Sequence, residues 1–260
     1  MIIKTLTENT TENCNLKSEH GLSLYIETEK HKILFDMGQT DLFYKNAQTL
    51  GVDLGEVDVA VLSHGHYDHG GGLEKFFEIN KTAFVYLSRF AFGEYYNGTE
   101  KYIGLDESLK NNPRLIFAQD EKIIDSELSL FSLNNEIKKE KIEPFGLNQK
   151  IGENFSHDAF RHEHYLVINE NGKKTVISGC SHKGVVSIAN ALDPDVLVGG
   201  FHYSKIDPDS GILDKRAEEL LKTKATFFTC HCTGEEQYKY MKKIMQNRLH
   251  YLHTGTVINL

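Results

Sequence analysis

Apolar positions in this chain come in short runs bounded by turn-forming residues. Residues 22–28 (LSLYIET) and 32–38 (KILFDMG) read as two strands joined through Glu29-Lys30-His31. Residues 57–63 (VDVAVLS) alternate and then saturate with apolar side chains, the pattern of a buried strand. Residues 73–79 (LEKFFEI) have helical spacing, and 82–88 (TAFVYLS) return to strand. Regular alternation resumes over 164–181, where Asn171-Gly172 between two apolar runs marks a tight hairpin turn. Beyond it the pattern predicts a helix over 183–192, a strand over 195–201, a helix over 211–223, a strand over 225–230 and a helix over 234–248. Strands and helices alternating on this scale predict a layered α/β architecture.

The stretch 89–155 is looser. It is rich in aromatics and glycine (RFAFGEYYNGTEKYIGL), then charged and turn-forming (NNEIKKEKIEPFG, 134–146). It is expected to elaborate one edge of a single domain spanning 1–260. A chain of 260 residues can bury a substantial core without disulfides or structural metal. Its formal charge is −8 and its basic residues are scattered, which argues against nucleic acid as a partner. Four cysteines, at 14, 180, 230 and 232, are too few and too unevenly spaced for a disulfide scaffold and suit a reducing cytoplasm. The first residues, MIIKTLTENTTENCNL, lack the apolar core of a signal peptide, and no apolar run approaches the ~20 residues of a membrane helix. The expectation is a cytoplasmic globular protein with no membrane partner.

The chemistry is concentrated in residues 61–72, VLSHGHYDHGGG, where three histidines and an aspartate fall within six residues directly after a buried strand. Imidazole and carboxylate are the usual ligands of zinc and similar ions. His64 and His66, two apart on extended backbone, point the same way, so both can reach one ion. Asp68 and His69 can then turn toward a second. Most of the 13 histidines are better read as ordinary surface or satisfied core residues. Those at 164, 182, 202 and 231 nevertheless sit at predicted strand ends, where ligands bind in layered α/β folds.

The run SHGHYDHGGG resembles the His-x-His-x-Asp-His signature of the metallo-β-lactamase fold, a four-layer αβ/βα sandwich. ILFDMGQ resembles that superfamily's early strand-end Asp motif, which would make Asp36 an orienter of the metal loop. SGCSHKG, GGFH and CHCTGEE resemble one subgroup, the proteins similar to an archaeal dihydropterin-ribofuranosylaminobenzene phosphate synthase, a dihydropteroate synthase analogue. The resemblance implies metal ligands His64, His66, Asp68 and His69, with His231 as the final histidine and His182 as the subgroup's own ligand. Cys180 stands where many members carry a bridging aspartate; Cys180, His164 and Asp36 are further donors or orienters, with His162 a weaker rival to His164. Cys230 and Cys232, alternating with His231, are expected to face away from the metal.

One or two divalent ions are therefore expected, zinc first, with iron or manganese as alternatives. Such a site makes hydroxide available at neutral pH and neutralises an oxyanion. Asp68 would hold or deprotonate the water, and His202 would donate to a phosphate or leaving group. The broadest reading is a metal-dependent hydrolase acting on a phosphate-type ester. One alternative is a dihydropteroate synthase-like transferase, joining a dihydropterin methyl diphosphate to an aromatic amine. The other is a non-catalytic metal or redox sensor. Tyr95, Tyr96 and Tyr102 would offer flat surfaces to a phosphorylated or pterin-like small molecule, and Arg89 and Lys101 would meet its phosphate; a packed aromatic lid with a basic rim is the plainer reading.

Overall fold

A computed structural model describes residues 1–137 and 142–260. They form two compact units, each assembled from separated stretches of chain. The first comprises Met1–Gln119, Gly146–His164 and His253–Leu260, and the second Asp120–Phe145 and Tyr165–Leu252.

The first unit holds a sheet of β1 (Ile2–Thr7), β2 (Ser23–Glu27), β3 (Lys32–Phe35), β4 (Val59–Val61), β5 (Phe84–Ser88), β8 (Leu115–Ala118) and β18 (Val257–Asn259). Its spatial order is β18-β1-β2-β3-β4-β5-β8. β1 to β3 run antiparallel, and from β3 to β8 the neighbours are parallel. Parallel neighbours need crossover connections. Here α1 (Leu42–Thr49) links β3 to β4, and α3 (Leu73–Ile79) links β4 to β5. Phe43 and Phe76 from these helices pack with Leu34, Ala60 and Val85 of the sheet into one buried cluster. A second sheet, ordered β12-β11-β6-β7, is formed by β6 (Glu94–Asn97), β7 (Lys101–Tyr102), β11 (Leu147–Ile151) and β12 (Asn154–His157).

The second unit holds β9 (Glu121–Ile123), β10 (Leu128–Phe131), β13 (Tyr165–Glu170), β14 (Lys173–Ile177), β15 (Val196–Val198), β16 (Thr226–Thr229) and β17 (Leu249–Tyr251), ordered β17-β16-β15-β14-β13-β10-β9. β14 to β17 are parallel. Their crossovers are α4 (Val185–Leu192), α5 (Ile212–Leu221) and α6 (Glu235–Met245). On α5 the buried residues Leu213, Ala217 and Leu220 recur at i, i+4 and i+7, the spacing of a helix with one face on a core. The β13–β14 hairpin turns at Asn171 and Gly172, both at positive φ (53° and 74°), as a two-residue loop with this twist requires.

The predicted strands over 22–28, 32–38 and 82–88, the hairpin, and the helices over 73–79, 183–192, 211–223 and 234–248 are present. The stretch 89–155 contributes the short strands β6 to β12, and its residues are divided between the two units. Strands this short, broken by turns, leave too few positions for an alternation to show. Of the charged turn expected over 134–146, residues 138–141 lie outside the described residues. Among the described residues, no helix is long and apolar enough to cross a membrane.

Candidate metal centre

In the first unit the parallel register sets Phe35 beside Val61, so Asp36 and Ser63-His64 leave the sheet together at neighbouring strand ends. Asp36 is fully buried at φ 59° and is the hub of the loop. Its Oδ1 accepts from the Ser63 backbone N–H (2.7 Å), and its Oδ2 accepts from the Ser63 hydroxyl (2.7 Å) and His69 Nδ1 (2.6 Å). Because the Ser63 hydroxyl spends its proton on Asp36, it accepts from His64 Nδ1 at 2.8 Å. One carboxylate thus fixes the tautomer of two histidines, directly for His69 and through Ser63 for His64, and makes Nε2 the unprotonated nitrogen of each.

The rings they orient lie close together. The His64 centroid is 4.5 Å from that of His66 and 4.2 Å from that of His69. Burial holds His66 neutral, with its pKa lowered to about 3, and neutral imidazole is the metal-binding form. Asp68 sits on the short helix α2 (Tyr67–Gly70), with Oδ2 3.8 Å from His69 Nε2 and 3.2 Å from His20 Nε2. Gly65 has no room for a side chain, since a Cβ there would lie 2.1 Å from the Ala91 carbonyl oxygen. Buried neutral imidazoles with fixed outer nitrogens, beside a carboxylate, fit a divalent ion.

A further pair braces the loop. His162 accepts from the Gly65 N–H at Nδ1 (2.9 Å) and donates from Nε2 to Asp158 (2.9 Å), so neither nitrogen is available to an ion. The suggestion that His162 rivals His164 as a ligand is therefore corrected: His162 positions the loop. His164 donates its backbone N–H to Ser63 O and holds its ring on Gln119 O through Nε2, each at 2.7 Å. For Asp158, burial opposes ionisation, but the His162 and His66 rings and the hydrogen bonds from His162 and the Phe160 N–H outweigh it and hold the carboxyl below its ordinary value. A depressed carboxylate pKa contributes stability above the unfolded-state value of about 4, and that stability is lost as pH falls through the folded value. Asp158→Asn is thus expected to lower the melting temperature at pH 7 and to narrow the gap to wild type on acidification below pH 4. Thermal melts from pH 3 to 7 check this.

In the second unit, Cys180 and His182 follow β14, His202 follows β15, and His231 and Cys232 follow β16. These are the carboxyl ends of three adjacent parallel strands, the usual place for a ligand site. One donor atom each from Cys180, His231 and Cys232 lie within 4.8 Å of one another, as do those of Cys180, His182 and His202. The expectation for Cys232 is corrected here. Residues His231–Thr233 turn in a single 3-10 turn, strand alternation ends at β16, and the Cys232 thiol comes round to Cys180 and His231. Burial raises the Cys232 thiol, but hydrogen bonds with the Cys180 and His202 side chains and the nearby His231 draw it well below its ordinary value. Cys230 is fully buried.

His182 and His202, their rings 4.4 Å apart, also line a cavity of roughly 420 Å³ in this unit. Its walls are largely apolar, with Phe145, Phe201, Tyr203 and Ile206; Lys215 and Arg216 bring positive charge and Glu143 one negative charge.

The residues expected to face substrate are placed unequally. Tyr95 is buried with its hydroxyl on Phe90 O (2.6 Å) and its ring 3.9 Å from that of His162, so it supports the loop instead of offering an open face. Tyr96 packs edge-on against Tyr102 and Phe155. Tyr102 is half exposed and donates to Leu105 O (2.9 Å). Lys101 reaches the Tyr67 hydroxyl (3.3 Å), and Arg89 lies over the Phe90 ring. His20, Ser63 and Asp158 carried no legible signal, because each acts through a partner distant in sequence or through a common residue type.

Residues 18–180 match the family model described as the metallo-beta-lactamase superfamily. The chain is 27% identical to the 7,8-dihydropterin-6-methyl-4-(beta-D-ribofuranosyl)-aminobenzene-5'-phosphate synthase of Methanocaldococcus jannaschii, over 93% of this chain and 90% of that one. An uncharacterized protein of the same organism is also 27% identical, over the full length of both. Among solved structures, Tm1679, a metal-dependent hydrolase of the beta-lactamase superfamily, superposes with a TM-score of 0.85 at 29% identity, covering 100% of this chain and 99% of that one.

Proposed function

Because this chain belongs to the metallo-beta-lactamase superfamily, we propose that it is a metal-dependent hydrolase of a small phosphate-type ester. The observation that carries this reading is the His64–His69 loop, where imidazoles oriented by one buried carboxylate gather beside Asp68. His64, His66, Asp68 and His69 would hold a divalent ion, zinc before iron or manganese; His182 and His231, in the second unit, are the further donors that the resemblance implies. A bound ion would supply Lewis acidity and lower the pKa of a water to about 7. The chain's own groups do the rest. Asp68, held by His20, takes a proton from the attacking water. In the second unit, His202 at the cavity wall has the chemistry to donate to a phosphate or leaving group. The apolar walls with Lys215 and Arg216 suit a ring-bearing anionic substrate. The likeness to Tm1679 favours hydrolysis.

Likeness to the archaeal synthase favours a second reading, transfer between a pterin-like diphosphate and an arylamine at the same site. The test is a metal-stripped and reloaded preparation assayed on bis(p-nitrophenyl) phosphate, and on a pterin methyl diphosphate with and without an arylamine. Metal-dependent ester cleavage without an amine supports the hydrolase. Diphosphate release only when both partners are present replaces it with the transferase.

A further inference from the structure

We propose that the free edge of β12 in the first unit is a self-association surface, to which a second copy of this chain adds its own β12 in antiparallel pairing. The surface uses none of the residues assigned to hydrolysis above and stands whether or not the chain is a hydrolase. Among the described residues, β12 closes one end of the small sheet and pairs on its other side with β11. All of Asn154–His157 is exposed. Asp158 donates its N–H back to Leu147 O (3.1 Å), so by strand alternation Phe155 and His157 turn their backbone N–H and C=O groups outward. Such an edge is a template for another strand, and proteins usually blunt it with lysine, proline or extreme shortness. β7, at the other end of the same sheet, is two residues long and carries Lys101. β12 is longer and has neither lysine nor proline.

The side chains identify the occupant. Register sets Phe155 beside Lys150 and His157 beside Asn148, which itself faces Tyr96, so all five share one face of the sheet. There Phe155 stays 38% exposed, although its ring packs edge-on against Tyr96 with centroids 5.1 Å apart. Two antiparallel copies of β12 related by a dyad at Phe155 exchange its N–H and C=O, with the two Phe155 side chains side by side at a Cα spacing of about 5.5 Å. The same register places the exposed Glu153 opposite His157 of the second copy, on both sides of the dyad. A carboxylate then meets an imidazole N–H twice, flanking an aromatic centre, and the surface is complementary to itself. The contact is small, at the low end of specific interfaces, which implies a dissociation constant of about 10⁻⁵ M.

The test is sedimentation velocity of the full chain from about 1 to 300 µM, which should carry wild type from monomer to dimer. Phe155→Lys sets two ammonium groups at the dyad and should weaken association about tenfold or more. Glu153→Lys and His157→Glu should each weaken it about threefold, and the double variant should recover wild-type association. These side chains are exposed, and a thermal melt checks that each variant is folded. Residue-resolved hydrogen exchange of wild type needs no variant: the Phe155 and His157 amides should exchange more slowly at high protein concentration, and the Ser156 amide, already facing β11, should not change. A wild type that is monomeric throughout overturns the proposal and leaves the edge to a strand from another protein. Unweakened association in Phe155→Lys, or a double variant that recovers nothing, overturns it as well, by moving the contact to a different surface or register.

Discussion

Asp68→Ala is expected to reduce turnover of a phosphate ester by about 10³-fold, the usual range for loss of a positioned acid–base group. Stability should fall by less than about 1 kcal/mol, because His20, whose ring nitrogen contacts the carboxylate, is itself largely solvent-exposed. The two numbers together make the result diagnostic. A large loss of rate on an intact fold places Asp68 at the reacting centre. A rate within tenfold of wild type would remove it from the chemistry and leave it as one donor among several. Steady-state kinetics on the metal-loaded variant, beside a thermal melt, decide between these outcomes.

Asp36→Asn should act in the opposite proportion, through structure first. Asparagine tolerates the left-handed backbone at this position, so the change tests the carboxylate and not the φ angle. The amide offers one oxygen where Asp36 has two, and it turns an N–H₂ toward groups that are already donors. Either Ser63 or His69 loses its acceptor in a fully buried setting, at a cost of about 1–3 kcal/mol. With the histidine tautomers no longer fixed, metal affinity should drop about 10- to 100-fold. Chemical denaturation and competitive zinc titration measure the two effects separately. Unchanged zinc affinity would show that Ser63 and the backbone suffice to orient His64 and His69.

The contrast between these two residues reflects how each was legible. Asp68 lies in a local motif whose spacing carries its meaning. Asp36 was found only through a resemblance, and the chain of contacts from it through Ser63 to His64 depends on β3 and β4 being adjacent and parallel. Asp158 and His162 were missed in this role for the same reason: an aspartate and a histidine four apart outside a helix have no spacing rule, and their task is set by the Gly65 N–H, 97 positions away from His162. Cys232 was misread because alternation was extended one residue past the end of β16, into a turn that reverses its direction.

Near neighbours along the chain settle the local grammar: the hairpin at Asn171-Gly172, the helices after 73, 183, 211 and 234, and a loop of imidazoles and a carboxylate following a buried strand. These depend on interactions between residues a few positions apart, where periodicity and turn chemistry leave little freedom. Which strands are neighbours, and therefore which strand ends gather, is set by the folded sheets. That choice brings Cys180, His202, His231 and Cys232 together, gives Asp36 its two histidines, and turns His162 into a brace. Register between distant strands is set by the packing of whole sheets, and no stretch of sequence short enough to carry a motif contains it.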